Sequence, residues 1–149
     1  MSRIIELWEA GEAPDRSGLY RADGSARAIE IDGPALSWFD LGPSLDLDSL
    51  LAEDPWAVTP IDVHPQCYLE LPDGSGSVCG GDGALGSQGF FARLDPDGRL
   101  VWVASLFDSN PFEKAELSWP VVRFTNNLGN SIAIDLLSEP FSVTSRDDP

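Results

Sequence analysis

Gly89-Phe-Phe-Ala-Arg-Leu94, Asp95-Pro-Asp-Gly98 and Arg99-Leu-Val-Trp-Val-Ala-Ser-Leu-Phe107 form one continuous stretch, and its reading decides the fold class. Two runs rich in aromatic and β-branched residues flank a four-residue turn signal. Proline at the second turn position presets φ and glycine at the fourth accepts a positive φ, which suits a type I turn followed by a bulge. On the second run Leu100, Trp102, Ala104 and Leu106 alternate with Val101, Val103 and Phe107. Both faces are apolar, so this strand is expected at the centre of a sheet that is covered on both sides.

The same pattern continues outward. Downstream, Val121–Thr125 and Ser131–Leu136 flank Asn126-Asn-Leu-Gly-Asn130. There Ile132, Ile134 and Leu136 point one way while Ala133 and Asp135 point the other, as in a half-buried strand. Upstream, Gln66–Leu71 and Ser77–Gly80 flank Pro72-Asp-Gly-Ser-Gly76. Arg3–Glu9 and Ala26–Asp32 also read as strands. Leu47, Leu50 and Leu51 have helical spacing, with Ser44 or Asp46 as cap and Pro55 as stop, and a shorter helical turn is expected at Glu113–Leu117. Fourteen Gly and twelve Pro punctuate the chain without a repeat. The expected fold is a β-rich α+β domain, mainly an antiparallel sheet or sandwich built from hairpins with one or two short helices. Residues 1–149 suffice for one domain, with a frayed polar tail at 145–149.

Charge narrows the partners. Nine Lys plus Arg against 25 Asp plus Glu give −16. Bare nucleic acid and anionic membrane surfaces would be repelled, and a cationic partner would be attracted. No Lys or Arg occurs between Arg27 and Arg93, and residues 28–92 carry eleven acids. This segment is expected to fold into one outward anionic surface. No apolar run is long enough for a membrane span and no secretory signal is evident, so a cytoplasmic protein is expected.

Several motifs resemble chemistry without its context. Gly81-Asp-Gly83-Ala-Leu-Gly86 matches G-x-G-x-x-G, but a strand, not a helix, is expected next, and Asp82 sets a negative charge in the loop. His64, the single histidine, lies in a proline-bracketed connection, and no nucleophile elbow accompanies it. Cys67 and Cys79 are too few to close a zinc site. In the expected hairpin register, with Leu71 opposite Val78 and Cys67 opposite Asp82, they lie three positions apart on opposite faces, so free thiols are expected. No cofactor and no catalytic residue is assigned.

Trp38-Phe-Asp40 and Asp54-Pro-Trp56 place aromatics beside acids at either flank of the expected helix. An aromatic supplies contact area or a cation–π face and an acid supplies an ion pair, a combination suited to Lys and Arg of a basic protein. The candidate contact residues are therefore Trp38, Asp40, Asp46, Asp48, Glu53, Asp54, Trp56 and Asp82. In size, acidity and β-rich build, and in the closing hairpin Trp119–Leu136, the chain resembles immunity proteins of bacterial polymorphic-toxin systems. The resemblance implies a protein that neutralises a basic toxin domain, of nuclease or deaminase type, by occluding its active site. Two other readings compete with it. One is a β domain binding a small ligand or carbohydrate in a Trp-lined pocket; the other is a hydrolase using paired carboxylates or His64.

Overall fold

The computed structural model describes residues 1–138 and 142–144. Their elements are α1 (Arg3–Glu9), β1 (Glu12–Pro14), β2 (Gly18–Arg21), β3 (Ala26–Ile31), β4 (Phe39–Leu45), α2 (Leu47–Glu53), β5 (Val58–Pro60), β6 (Asp62–Glu70), β7 (Ser77–Asp82), β8 (Gly89–Leu94), β9 (Leu100–Leu106), β10 (Phe112–Ser118), β11 (Val121–Asn126), β12 (Ser131–Asp135) and β13 (Ser142–Thr144). All strand pairings are antiparallel, giving the β-rich α+β fold expected.

The twice-apolar strand β9 is the middle of seven, in the order β4-β3-β2-β9-β8-β7-β6. Its hairpin with β8 closes as its turn residues demand. The Gly98 amide donates to the Asp95 carbonyl at 2.9 Å, the Asp95 amide donates to the Arg99 carbonyl at 2.8 Å, and Gly98 has φ +80°. The bulge has a consequence the alternation did not carry. Arg93 pairs with Trp102 and Leu94 with Leu100, so Val101 is an extra residue. Leu100 thereby crosses to the face of Val103, while Trp102, Ala104 and Leu106 keep the other.

Each face of the large sheet has its own cover. On one, Phe91, Trp102 and Leu106 pack with Phe112, Val122, Phe124 and Ile134 of a second sheet, ordered β10-β11-β12-β13. On the other, Tyr20, Phe90 and Val103 pack under Ile4 of α1, Leu47 and Leu51 of α2, and Ala57. The small β1–β5 ribbon ties the helical side together.

Two local readings are corrected. Arg3–Glu9, expected as a strand, is a helix. Ile4, Leu7 and Trp8 follow a 3.6-residue period and turn together into the helical-side core, which outweighs the β-branched pair Ile4-Ile5. Glu113–Leu117, expected as a helical turn, belongs to strand β10. The helix-like spacing of buried Phe112 and Ala115 comes from a bulge, because Phe112 pairs with Asn126 and Lys114 with Thr125. Ala133, expected on an open face of β12, is buried as well.

The β6–β7 hairpin forms in a different register from the one expected. Leu69 pairs with Val78 and Tyr68 with Cys79, because the turn takes in Leu71 through Gly76 and is closed by the Leu71 amide on the Gly76 carbonyl at 2.9 Å. The two-residue shift brings Cys67 beside Gly80. The thiols nonetheless stay free and on opposite faces, Cys67 in the inter-sheet core and Cys79 in the helical-side core. His64 lies within β6, in the irregular part between Val63 and Tyr68, and not in a connection before it. No helix among the described residues is long and apolar enough to cross a membrane. The tail at 145–149 lies outside the described residues.

Candidate functional site

The eight candidate residues do not share one surface. Asp40 sits on β4, one edge of the large sheet, and Asp82 ends β7, five strands away. At a strand spacing of about 4.8 Å, that is about 24 Å across the sheet. The expected single anionic surface over residues 28–92 is therefore divided: the eight candidate residues fall into three regions, and Glu70 and Asp73 lie apart from them at the turn end of the β6–β7 hairpin.

The first surrounds Trp38. A 3-10 turn at Gly33–Ala35 is pinned by the side-chain amides of Asn126 and Asn130, which donate to the Pro34 carbonyl at 2.8 and 3.0 Å. Leu36 then takes φ +54° and buries its side chain, and Trp38 emerges 46% exposed. Asp32 beneath it accepts from both the amide and the hydroxyl of Ser37. Burial opposes the charge of Asp32, but these hydrogen bonds outweigh it and hold the carboxyl below its ordinary range.

The second region is the β6–β7 corner. Asp82 pairs across the sheet with Asp62 and with Gly89. With Asp62, His64 and Glu113 it lines a hollow of about 240 Å³. Nδ1 of His64 accepts a hydrogen bond from the Gln66 amide at 3.2 Å, leaving Nε2 as the donor nitrogen of the neutral ring. The G-x-G-x-x-G segment leads, as expected, into strand β8; Gly81 is packed inside the sheet, whereas Ala84, Leu85 and Gly86 are exposed. Thr59 donates its hydroxyl to Gln88 Oε1 at 2.9 Å, and the same Gln88 oxygen accepts from the Leu85 amide.

The third region is α2 and the turn after it. Leu47 and Leu51 are buried, so Asp48 and Glu53 face outward. Asp46 is the cap, accepting from the Ser49 amide at 3.2 Å. Asp46 and Asp48 border a hollow of about 540 Å³ shared with Ser2, Arg3, Glu6 and Asp23. At the other end the chain turns sharply: the Trp56 amide donates to Asp54 Oδ1 at 3.2 Å and the Ala57 amide to the Asp54 carbonyl at 3.1 Å. The indole of Trp56 is 86% exposed. Ala57, the next residue, is buried in the helical-side core instead.

One residue absent from the sequence reading, Asp15, joins this turn. The Asp15 amide donates to the Ala57 carbonyl at 3.0 Å, which brings the end of β1 against the Trp56 turn. Burial raises the pKa of Asp15, and the charge of Asp54 raises it further. Asp15 also borders a crevice with Phe107, which is 46% exposed and whose amide donates to Ser17 Oγ at 2.9 Å. Asp15 lies 39 positions before Asp54 and in a different element, so no local spacing could have linked them.

Among the described residues no group of three or more His, Cys, Asp or Glu side chains is placed to hold a metal ion. Comparison of the chain with protein-family models, with curated proteins and with solved structures found no match.

Proposed function

We propose that this protein binds a basic protein partner and neutralises it by covering its active site, as an immunity protein does to a toxin domain of nuclease or deaminase type. The observation that carries the reading is the outer surface of α2 and its exit turn. Asp46, Asp48, Glu53 and Asp54 are all exposed there, and they end at a tryptophan left 86% in solvent. Exposed carboxylates on a chain of net charge −16 speed the capture of a cationic surface and can stand where substrate phosphates would lie. An exposed indole beside them supplies the desolvated contact area that such an encounter needs to persist.

The test is binding to a basic nuclease or deaminase domain encoded in the adjacent reading frame. The association rate should fall steeply as salt rises, and Asp48→Lys, Glu53→Lys and Asp54→Lys together should slow it. Asp46 is changed to Asn instead, because asparagine caps a helix as well as aspartate does. A salt-independent rate, or full binding by the reversed variant, overturns the reading.

A further inference from the structure

Two hairpin turns meet at one end of the large sheet. Residues 71–76 join β6 to β7, and residues 95–98 lie between β8 and β9. The turns are pressed together: a Cβ on Gly76 would stand 1.9 Å from the Leu94 carbonyl oxygen. Beside them opens a hollow of about 240 Å³, bordered by Tyr68, Glu70, Asp95, Gly74, Gly76 and Gly98. Tyr68 and Glu70 stand two apart on β6 and share a face, while Leu69 turns into the inter-sheet core. The Tyr68 ring is 46% exposed. Among the described residues, neither its hydroxyl nor the Glu70 carboxylate has a hydrogen-bond or ion-pair partner. Asp95 Oδ1 accepts from the Asp97 and Arg99 amides, both at 2.9 Å, which leaves Oδ2 for another donor. No Lys or Arg among the described residues borders the hollow. Arg93 lies on the other face of β8, where its guanidinium donates to the Leu136 carbonyl at 2.9 Å and to Ser75 Oγ at 3.2 Å.

Building on the reading of the protein as a binder of basic domains, we propose that this hollow is a second contact point, which takes up one lysine or arginine side chain of the partner over the Tyr68 ring. The cation faces the ring and is held between the carboxylates of Glu70 and Asp95. Exposed acids alone hold a cation weakly in water, but an aromatic face in the same concave site adds its own attraction. Neither acid has to leave an internal ion pair to receive the cation, so nothing inside the protein is broken on binding. Cys79, the cross-strand partner of Tyr68, belongs to the core that α2 covers. The hollow therefore opens on the same side of the large sheet as α2, and one partner surface can meet both.

The test titrates a hexa-arginine peptide into the full chain and follows the assigned amide resonances of Gly74, Gly76 and Gly98, which report on this hollow and not on α2. Hexa-arginine should move them, and hexa-citrulline, with the same shape and no charge, should not. Tyr68→Phe keeps a ring face and should bind as the parent does. Tyr68→Leu should weaken binding at these glycines by about twofold to fivefold. Glu70→Gln combined with Asp95→Asn should weaken it by about threefold. Asparagine keeps the oxygen that the Asp97 and Arg99 amides need, so the hairpin stays closed. Unmoved glycine resonances, an equal response to hexa-citrulline, or full affinity in Tyr68→Leu overturns the proposal. The two ideas fail separately. If the glycines stay still while capture of a basic domain remains salt-dependent, the second contact point falls and the partner reading stands. If hexa-arginine fills the hollow but no basic domain binds, the partner reading falls and the cation site stands.

Discussion

Phe91 of β8 lies stacked on Phe124 of β11, ring centroids 4.5 Å apart and planes 17° from parallel. This pair joins the seven-stranded sheet to the four-stranded one. Phe112 and Trp102 meet the same Phe91 ring edge-on at 5.4 and 6.0 Å. An aromatic cluster of this kind contributes area burial and ring–ring geometry together. Every residue in it comes from a different strand, so the cluster sets how the two sheets sit on one another.

Phe91→Ala is therefore expected to lower stability by about 3–5 kcal/mol, the range for removing a fully buried Phe from a packed core. Denaturant unfolding should show the loss, with Phe91→Leu costing clearly less. A loss below about 1 kcal/mol for Phe91→Ala would mean that the two sheets are held together elsewhere.

The two cysteines should be chemically silent in the native protein. Burial pushes the Cys79 thiol up to about 12, and burial together with the neighbouring Cys79 brings the Cys67 thiol to about 12 as well. Almost no thiolate exists near neutral pH under these conditions. A thiol reagent such as an aromatic disulfide should label neither in the folded chain and both after denaturation. Rapid labelling of either in the native state would contradict the packing of β6 and β7.

What was legible in the sequence was local. The Asp95–Gly98 turn, the twice-apolar β9 and the capped helix at Leu47–Glu53 each depend on residues within a few positions of one another. Bulges were not legible, because one inserted residue inverts every later side chain. The bulge at Val101 carries Leu100 to the face of Val103, and the one after Phe112 gives buried Phe112 and Ala115 a three-residue spacing inside a strand. Strand order was beyond reach as well. β2 pairs with β9 through partners such as Gly18 and Ser105, 87 positions apart, and nothing in either segment names the other. The same limit hid Asp15. Glu53, Asp54 and Trp56 were readable as neighbours, whereas Asp15 reaches them only through β1 pairing with β5.

Asp15 gives a pH prediction whose sign follows from its environment. Its folded pKa lies above its unfolded value, through burial first and then the charge of Asp54. Below the ordinary carboxylate range the group is protonated in both states and carries no penalty. As pH rises through the folded pKa, the penalty for ionising it in place develops in full. Asp15→Asn should therefore raise the melting temperature at neutral pH, and the gain should vanish as the solution is acidified below the ordinary carboxylate range. A melting temperature unchanged at neutral pH would show that the ionised Asp15 carries no penalty in the fold.

The G-x-G-x-x-G segment separates a structural from a ligand-binding use of glycine. A Cβ on Gly81 would stand 1.9 Å from the Asp62 carbonyl oxygen, a backbone atom of β6 that cannot swing aside. At Gly86 a Cβ would meet nothing within 4 Å. Gly81→Ala must therefore push β6 away from β7. It is expected to cost about 1–3 kcal/mol or more, in the range of forced overpacking, whereas Gly86→Ala should fall within about 0.5 kcal/mol of the parent. A phosphate-cradling loop would show another pattern, because both glycines would then matter for an added nucleotide and neither for the apo protein in particular. Thermal unfolding of the two variants, with and without a nucleoside triphosphate, distinguishes the cases. If Gly86→Ala changed nucleotide-dependent stability while Gly81→Ala left the free protein intact, the assignment of Gly81 to strand packing would fail.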